Sequence, residues 1–201
     1  MKALIIYAHP RKESFSYALL TRVTAALEKK NYEVEVRDLY AMNFNPILNE
    51  SDMIYTKNQE FVRENSEYPE DVKVEQKLIE ESELLIYLFP IWWNGMPAIM
   101  KGYIDRVFQH GFAYSFTSED PKQRFAGKRA LFLTPTGQPQ SDDGEDTKIT
   151  KAIKTLTSEW LFNSIDVEII DHVFYGRVPY LSREELEKYL VETEELINEK
   201  V

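Results

Sequence analysis

"KALIIYAHPRKESFSYALLTRVTAALEKK" occupies Lys2 to Lys30, and its hydrophobic period changes once. Lys2–Ala8 is an unbroken apolar run, the mark of a strand buried on both faces. From Ser16 to Lys30 the apolar residues Ala18, Leu19, Val23, Ala26 and Leu27 recur at helical spacing. Ser14 or Ser16 suits the cap of that helix, and Lys29 and Lys30 suit its last turn, where the backbone dipole favours cations. A buried strand, a short polar turn and a helix are the opening half of a βαβ unit.

The rest of the chain repeats the alternation. Tyr32–Tyr40 ("YEVEVRDLY") alternates strictly, as a strand at a sheet edge does. Val72–Ser82 reads as a helix, Glu83–Pro90 ("ELLIYLFP") as a second buried strand, and Pro97–His110 as a helix with proline in its first turn. Gly127–Gly137 is a third buried strand, Glu145–Ser164 a helix, Asp166–Gly176 a strand, and Ser182–Lys200 a last helix capped by Ser182. Ala41–Asp71 is polar and irregular, and a loop of that length inside a compact domain is functional or covers a neighbour. The pattern predicts one domain over residues 1–201, a doubly wound α/β sandwich around a five-stranded parallel sheet of order 2-1-3-4-5.

Bulk composition narrows the function classes. The formal net charge of −10 argues against a nucleic-acid partner, which needs a basic face to displace counterions. It argues equally against an anionic membrane surface. It does not exclude a phosphate-bearing small ligand, because backbone amides bind phosphate whatever the net charge. Cysteine is absent, so there is no disulfide and no thiolate nucleophile or ligand. "MKALIIYAHP" is too short an apolar run for a signal sequence, and no stretch approaches the length of a membrane span, so a cytoplasmic protein without an integral membrane segment is expected. His9, His110 and His172 have no metal-ligand spacing, and no metal is expected.

In such a sheet ligands bind at the carboxyl ends of the strands, near the point where the strand order reverses. Three turns lie there: Ala8–Ser16 ("AHPRKESFS"), Pro90–Pro97 ("PIWWNGMP") and Thr134–Gly144 ("TPTGQPQSDDG"). In the first, amides from Glu13 to Ser16 and the Ser14 and Ser16 hydroxyls can surround a phosphate in the field of the helix. Alone this is an ordinary helix cap, and neither GxGxxG nor GxxxxGK[ST] is present. In the second, Trp92 and Trp93 offer flat aromatic surface. Neighbours on an extended chain point to opposite sides, so one indole is expected inward and one against a ligand or partner. The third carries Thr136 and Gly137, whose amides are expected to be free. Met42, Met53, Met96 and Met100 read as packing residues, and the acidic run around Asp142 and Asp143 as a solvated loop.

"YAHPRKESFSYAL", "DLYAMNFNPI", "FPIWWNGMPAIMKGYIDRVF" and "GFAYSF" closely resemble the flavin-dependent NAD(P)H:quinone oxidoreductases of the DT-diaphorase-like branch of the flavodoxin-like fold. The likeness runs from about Lys2 to Gly137 and more loosely to Arg183. It implies two-electron hydride transfer from NAD(P)H, through a flavin, to a quinone-like acceptor by a ping-pong mechanism. By position it implies that His9, Ser14, Phe15, Ser16 and Ala18 hold the flavin phosphate and ribityl end. Pro90, Ile91, Trp92, Trp93 and Asn94 form the wall along the isoalloxazine, with Trp93 facing the ring. Thr136, Gly137 and Gln138 lie against its pyrimidine side. Trp93, Tyr114 and Phe116 line the acceptor site, the last two from the second subunit of a homodimer with a shared active site.

Departures from the family pattern carry information. Pro135 stands where the family has threonine, which removes one N–H donor, and Gln138 replaces a glycine. "PQSDDGED" has neither residue of the family's Tyr–His relay, so the catalytic proton donor is unknown and no relay is assigned. The resemblance admits FMN and FAD, and the short chain favours FMN. Two other function classes compete with the enzyme: a flavodoxin-like regulatory or docking subunit with incidental quinone reduction, and an electron-carrier flavodoxin.

Overall fold

The computed structural model describes residues 1–63, 67–115, 124–139 and 145–201. Its elements in chain order begin with strand β1 (Lys2–Tyr7), helix α1 (Phe15–Lys29) and strand β2 (Glu33–Asp38). A hairpin follows, β3 (Ile54–Lys57) with β4 (Glu60–Arg63), then α2 (Glu70–Glu81), β5 (Leu84–Leu88) and α3 (Ala98–Val107). The second half has β6 (Arg129–Pro135), α4 (Lys148–Lys154), α5 (Trp160–Ser164), β7 (Glu168–Tyr175) and α6 (Arg183–Lys200).

Five strands form one parallel sheet in the order β2-β1-β5-β6-β7. With every strand counted that order reads 2-1-5-6-7; among the five strands of the sheet alone it is 2-1-3-4-5. The antiparallel hairpin β3–β4 supplies two strands that stand outside the sheet, within the segment expected to be irregular. Its turn residues Asn58 and Gln59 both have positive φ, 52° and 68°, as a two-residue hairpin turn requires.

Alternate residues of the central strands feed two cores. Leu4, Ile6, Leu85, Tyr87, Ala130 and Phe132 pack against α2, α3 and α5. Ala3, Ile5, Tyr7, Ile86, Leu88, Leu131 and Leu133 pack against α1 and α6. Because both faces are covered, these strands carry no polar alternation, which is why they read as apolar runs. β2 lies at one edge. Val34 and Val36 join the α1 side, while Glu33, Glu35 and Arg37 alternate with them. Arg37 makes a bidentate bond to the buried Glu75 of α2 and a weaker contact to Glu35.

Helix ends follow their local sequence. Ser14 caps α1, its Oγ accepting from Tyr17 N–H at 3.1 Å. Ser182 and Glu185 form a reciprocal capping box on α6. Pro97 is the N-cap of α3, one position before the helical turn in which it was expected. The helix expected over Glu145–Ser164 starts at Lys148 and passes through one π turn, Thr155–Glu159, between α4 and α5. Met100 is fully buried and Met42 and Met96 pack on the same core, whereas Met53 is half exposed, against its reading as a packing residue. No helix among the described residues is long and apolar enough to cross a membrane.

Candidate functional site

The turns leaving β1, β5 and β6 meet at one end of the sheet. Each is tied to its neighbour by a backbone bond that continues the strand ladder. Ala8 N–H donates to Leu88 O at 3.0 Å, and Ile91 N–H donates to Pro135 O at 2.8 Å. The turn after β6 is tied to the end of β7 in the same way, Thr136 N–H donating to Tyr175 O at 2.8 Å. The Thr136 amide is therefore engaged, contrary to expectation. A strand end bonded to the next strand has no donor left over.

Gly137 N–H makes no hydrogen bond among the described residues, nor do the N–H groups of Phe15 and Ser16 in the first turn of α1. The reason at α1 is general: the first amides of a helix have no carbonyl one turn back. Ser14 answers one of them through its capping bond, and its own N–H reaches Arg11 O at 3.4 Å. Ser16 is buried and Ala18 half-buried behind them. The Tyr7 hydroxyl, at the end of β1, is buried and makes no hydrogen bond of good geometry among the described residues, and burial pushes its pKa up to about 12.

His9 belongs to the first turn. Its Nδ1 lies 3.1 Å from the Arg11 amide nitrogen and 3.2 Å from the Arg11 carbonyl oxygen, so it accepts from the one or donates to the other according to the tautomer. Burial lowers its pKa, which keeps the ring neutral at pH 7. The ring lies edge-on to Trp92, with centroids 5.8 Å apart.

The second turn is a miniature hairpin. Trp92 and Gly95 exchange two backbone hydrogen bonds of 3.0 and 3.1 Å. Trp93 and Asn94 fill the corners with φ of 50° and 61°. Both corner residues in the left-handed region are the signature of a type I′ turn. The chain here is folded back and not extended, so the expected alternation of the two indoles fails. Neither is inward: Trp92 is 40% exposed, and Trp93 projects fully into solvent at the tip. A tryptophan with positive φ is strained, and strain of this kind gathers at ligand sites.

Gln138 joins the second and third turns. Its Nε2 donates to Asn94 Oδ1 at 3.1 Å, its own N–H donates to Thr136 Oγ1 at 3.1 Å, and its carbonyl accepts Arg177 N–H at 2.9 Å. Pro90 and Ile91 are buried beneath this rim. The structure thus brings His9, Trp92, Asn94 and Gln138 into one bonded or ring-stacked rim.

Tyr114 belongs to a separate patch of the same chain. Its ring is edge-on to His110 at 5.7 Å, and His110 in turn meets Phe61 of β4 at 5.4 Å. Phe116, and with it Asp142 and Asp143, lies outside the described residues. Among the described residues no group of three or more His, Asp or Glu is arranged to hold a metal ion. His172 is a core residue between Ser158 Oγ at 3.0 Å and Thr134 Oγ1 at 3.2 Å, stacked on Phe174. Burial pushes its pKa down to about 3. Arg183, where the looser resemblance ends, is an exposed first residue of α6.

Sequence reasoning missed a second set of residues. Arg106, at the end of α3, is buried and bonded to Asp52 and Asp71. The three lie 54 and 35 positions apart, so no local spacing announces them.

Known proteins agree with this geometry. A family model described as flavodoxin-like fold matches residues 1–197. NAD(P)H dehydrogenase [quinone] 1 of Cavia porcellus is 40% identical over 150 residues, 70% of this chain and 54% of that protein. The chain spans about half the length of that relative and of its Rattus norvegicus counterpart. An uncharacterized NAD(P)H oxidoreductase of Haemophilus influenzae is 31% identical over 193 residues, covering 96% of this chain and 91% of that one. The solved NAD(P)H:quinone oxidoreductase of Methanothermobacter marburgensis superposes with a TM-score of 0.80 at 25% identity, over 98% of this chain and 95% of that one. With a family match over nearly its whole length and a sheet wound as the motifs require, the chain belongs to the flavodoxin-like fold family.

Proposed function

We propose that the protein is a flavin-dependent NAD(P)H oxidoreductase that reduces quinone-like acceptors by a ping-pong mechanism. The observation that carries the reading is the placing of unengaged N–H donors: those of Phe15 and Ser16 at the positive end of α1, and that of Gly137, on turns of one strand-end rim. Such a donor set suits a ligand that is anionic at one end and carries ring carbonyls at the other. The Tyr7 hydroxyl below the first turn, with no hydrogen bond of good geometry among the described residues, is a further polar group open to a partner. The residues present therefore fit a flavin. One phosphate site at α1 is what FMN needs, and FMN is the form favoured here. The names of the relatives point to the same chemistry.

Bound flavin supplies a ring able to take a hydride and pass on two electrons. The chain's part is to hold and orient. The Phe15 and Ser16 amides and the Ser14 and Ser16 hydroxyls take the phosphate, with His9 and Ala18 beside it. Pro90, Ile91, Trp92, Trp93 and Asn94 flank the ring, and Thr136, Gly137 and Gln138 close its polar side. At that side the Gly137 N–H would stabilise negative charge on a bound ring without a buried cation. Trp93, Tyr114 and Phe116 receive the acceptor, the last two from the second subunit of a homodimer. A dimer finds support in the exposed face of the π turn and the start of α5. Leu156 and Trp160 are 78% and 79% exposed there, an apolar pair that a partner would cover. The cytoplasm, with its supply of NAD(P)H, is the place for such an enzyme.

The absorption spectrum of the purified protein, with mass analysis of the released chromophore, decides the cofactor. Oxidation of NADH or NADPH on adding a benzoquinone decides the reaction. Flavin-loaded protein that turns over no quinone would sink the enzyme reading and favour a docking subunit.

A further inference from the structure

The buried guanidinium of Arg106 uses all five of its N–H donors. Nε and Nη2 grip Asp52 at 3.0 and 3.1 Å. Nη1 and Nη2 grip Asp71 at 2.5 and 3.2 Å, and Nη1 also donates to Asn45 O at 3.0 Å. The Phe44 ring lies 5.5 Å from the guanidinium carbon. One turn earlier on the same face of α3, Gly102 lies so close to Pro46 that a Cβ would stand 2.2 Å from its carbonyl oxygen. The segment after β2 is thus held against α3 at Phe44, Asn45, Pro46 and Asp52, and the first turn of α2 at Asp71.

The far end of the excursion between β2 and α2 bears on a different group of residues. Tyr68, one turn before Asp71, donates its hydroxyl to His110 O at 2.6 Å. Gly111 leaves room for that hydroxyl, which a Cβ would meet at 2.7 Å, and its φ of 86° itself favours glycine. Gly111 N–H donates to Tyr114 O at 2.7 Å and sets the 110–114 turn. The Phe61 ring of the hairpin lies 5.4 Å from the His110 ring. Phe61 and Tyr114 are 42% and 45% exposed, so three rings in a row form an aromatic wall open to solvent.

We propose that Arg106 is a positioning residue that holds Phe61, His110 and Tyr114 as one wall for a planar aromatic acceptor. The inference rests on the quinone reading above and deepens it: Phe61 and His110 are added to Tyr114 as acceptor-facing groups, and the ionic clamp behind them fixes their spacing. A buried ion pair of this kind is weak evidence for stability but well suited to specifying one arrangement. Hydrogen bonds from Arg106 hold the Asp71 carboxyl below the usual carboxylate range, so the clamp is charged at pH 7. A wall that contacts the acceptor equally before and during the reaction affects KM and leaves kcat alone.

Two variants test this. Arg106→Lys keeps the charge and loses the planar five-donor fork. Tyr68→Phe removes one hydroxyl and no charge. In both, KM for a two-ring naphthoquinone should rise about fivefold or more with kcat within about twofold. Amide hydrogen exchange over residues 108–115, read in protein with and without flavin, should accelerate about tenfold. If Arg106→Lys does not fold, Tyr68→Phe decides. Folded variants with wild-type KM and wild-type exchange overturn the clamp while the enzyme reading stands. Wild-type protein with no quinone turnover overturns that reading, and the role of the wall with it.

Discussion

The side-chain amide of Gln138 donates to Asn94 Oδ1 at 3.1 Å, and this bond joins the turn after β6 to the turn after β5. Gln138 occupies a position where the resemblance drawn from the sequence implies glycine. The bond replaces conformational freedom with a tether at the rim. Gln138→Gly should loosen both turns and raise the KM for quinone about threefold to tenfold, with little change in melting temperature, since the pair is exposed. Steady-state kinetics beside a thermal scan would check it. An unchanged KM would show that the tether has no part in the site.

Trp93 combines full exposure with φ of 50°, so its indole contributes nothing to the core. Trp93→Gly should leave stability equal or raise it by about 0.5–1 kcal/mol, because glycine adopts that backbone without strain. The same change should lower turnover more than Trp92→Ala does. Denaturant titration and kinetics on both variants separate the two effects. Equal, small losses of turnover would make both indoles structural.

Ser14 caps α1 and stands at the proposed phosphate site. Ser14→Ala should cost about 1 kcal/mol of stability through the lost cap. It should also raise the dissociation constant for FMN, measured by flavin fluorescence quenching, while leaving riboflavin binding nearly unchanged. Equal weakening for both ligands would place the effect outside the phosphate.

Gly102 faces Pro46 across a gap that admits no side chain. Gly102→Ala should destabilise by about 3 kcal/mol, because backbone must move to relieve the overlap. Chemical denaturation gives the number directly, and a loss below about 0.5 kcal/mol would mean that the excursion detaches from α3 at little cost.

His172 is buried neutral, with a pKa near 3 against an ordinary value of 6.5. A histidine whose folded pKa is depressed gives the unfolded chain the greater proton uptake. Stability is then complete above about pH 6.5 and falls as pH drops toward 3, with a slope approaching ~1.4 kcal/mol per pH unit. Urea titrations from pH 7 to pH 4 should show this loss, and His172→Gln should flatten the curve. A wild-type stability constant over that range would refute the buried neutral ring.

β1, β5 and β6 are legible in the sequence because each is covered on both faces and so appears as an apolar run. The long helices are legible from their period, and Ser14 and Ser182 from the pairing of a hydroxyl with the amides ahead of it. The hairpin at 54–63 is not, since Gln59 fills a turn position that usually advertises itself as glycine. The same blindness hides the fold of the tryptophan turn, where the positive-φ corners are Trp93 and Asn94. The π turn between α4 and α5 leaves the apolar period nearly intact and so reads as one helix. The candidate site rests on the strand-end rule and on motif resemblance, both read from local sequence, whereas the Arg106 clamp arises only when distant segments meet.

β2 closes one flank of the sheet, and no described strand pairs with its outer side. A strand so placed invites edge-to-edge pairing with a second molecule. Glu33 and Glu35 answer that hazard by setting charges along the flank, where an incoming strand would have to strip their hydration. Solubility of the folded protein at high concentration therefore depends on an element remote from its chemistry, and neutral substitutions at Glu33 and Glu35 would turn a guarded border into an adhesive one.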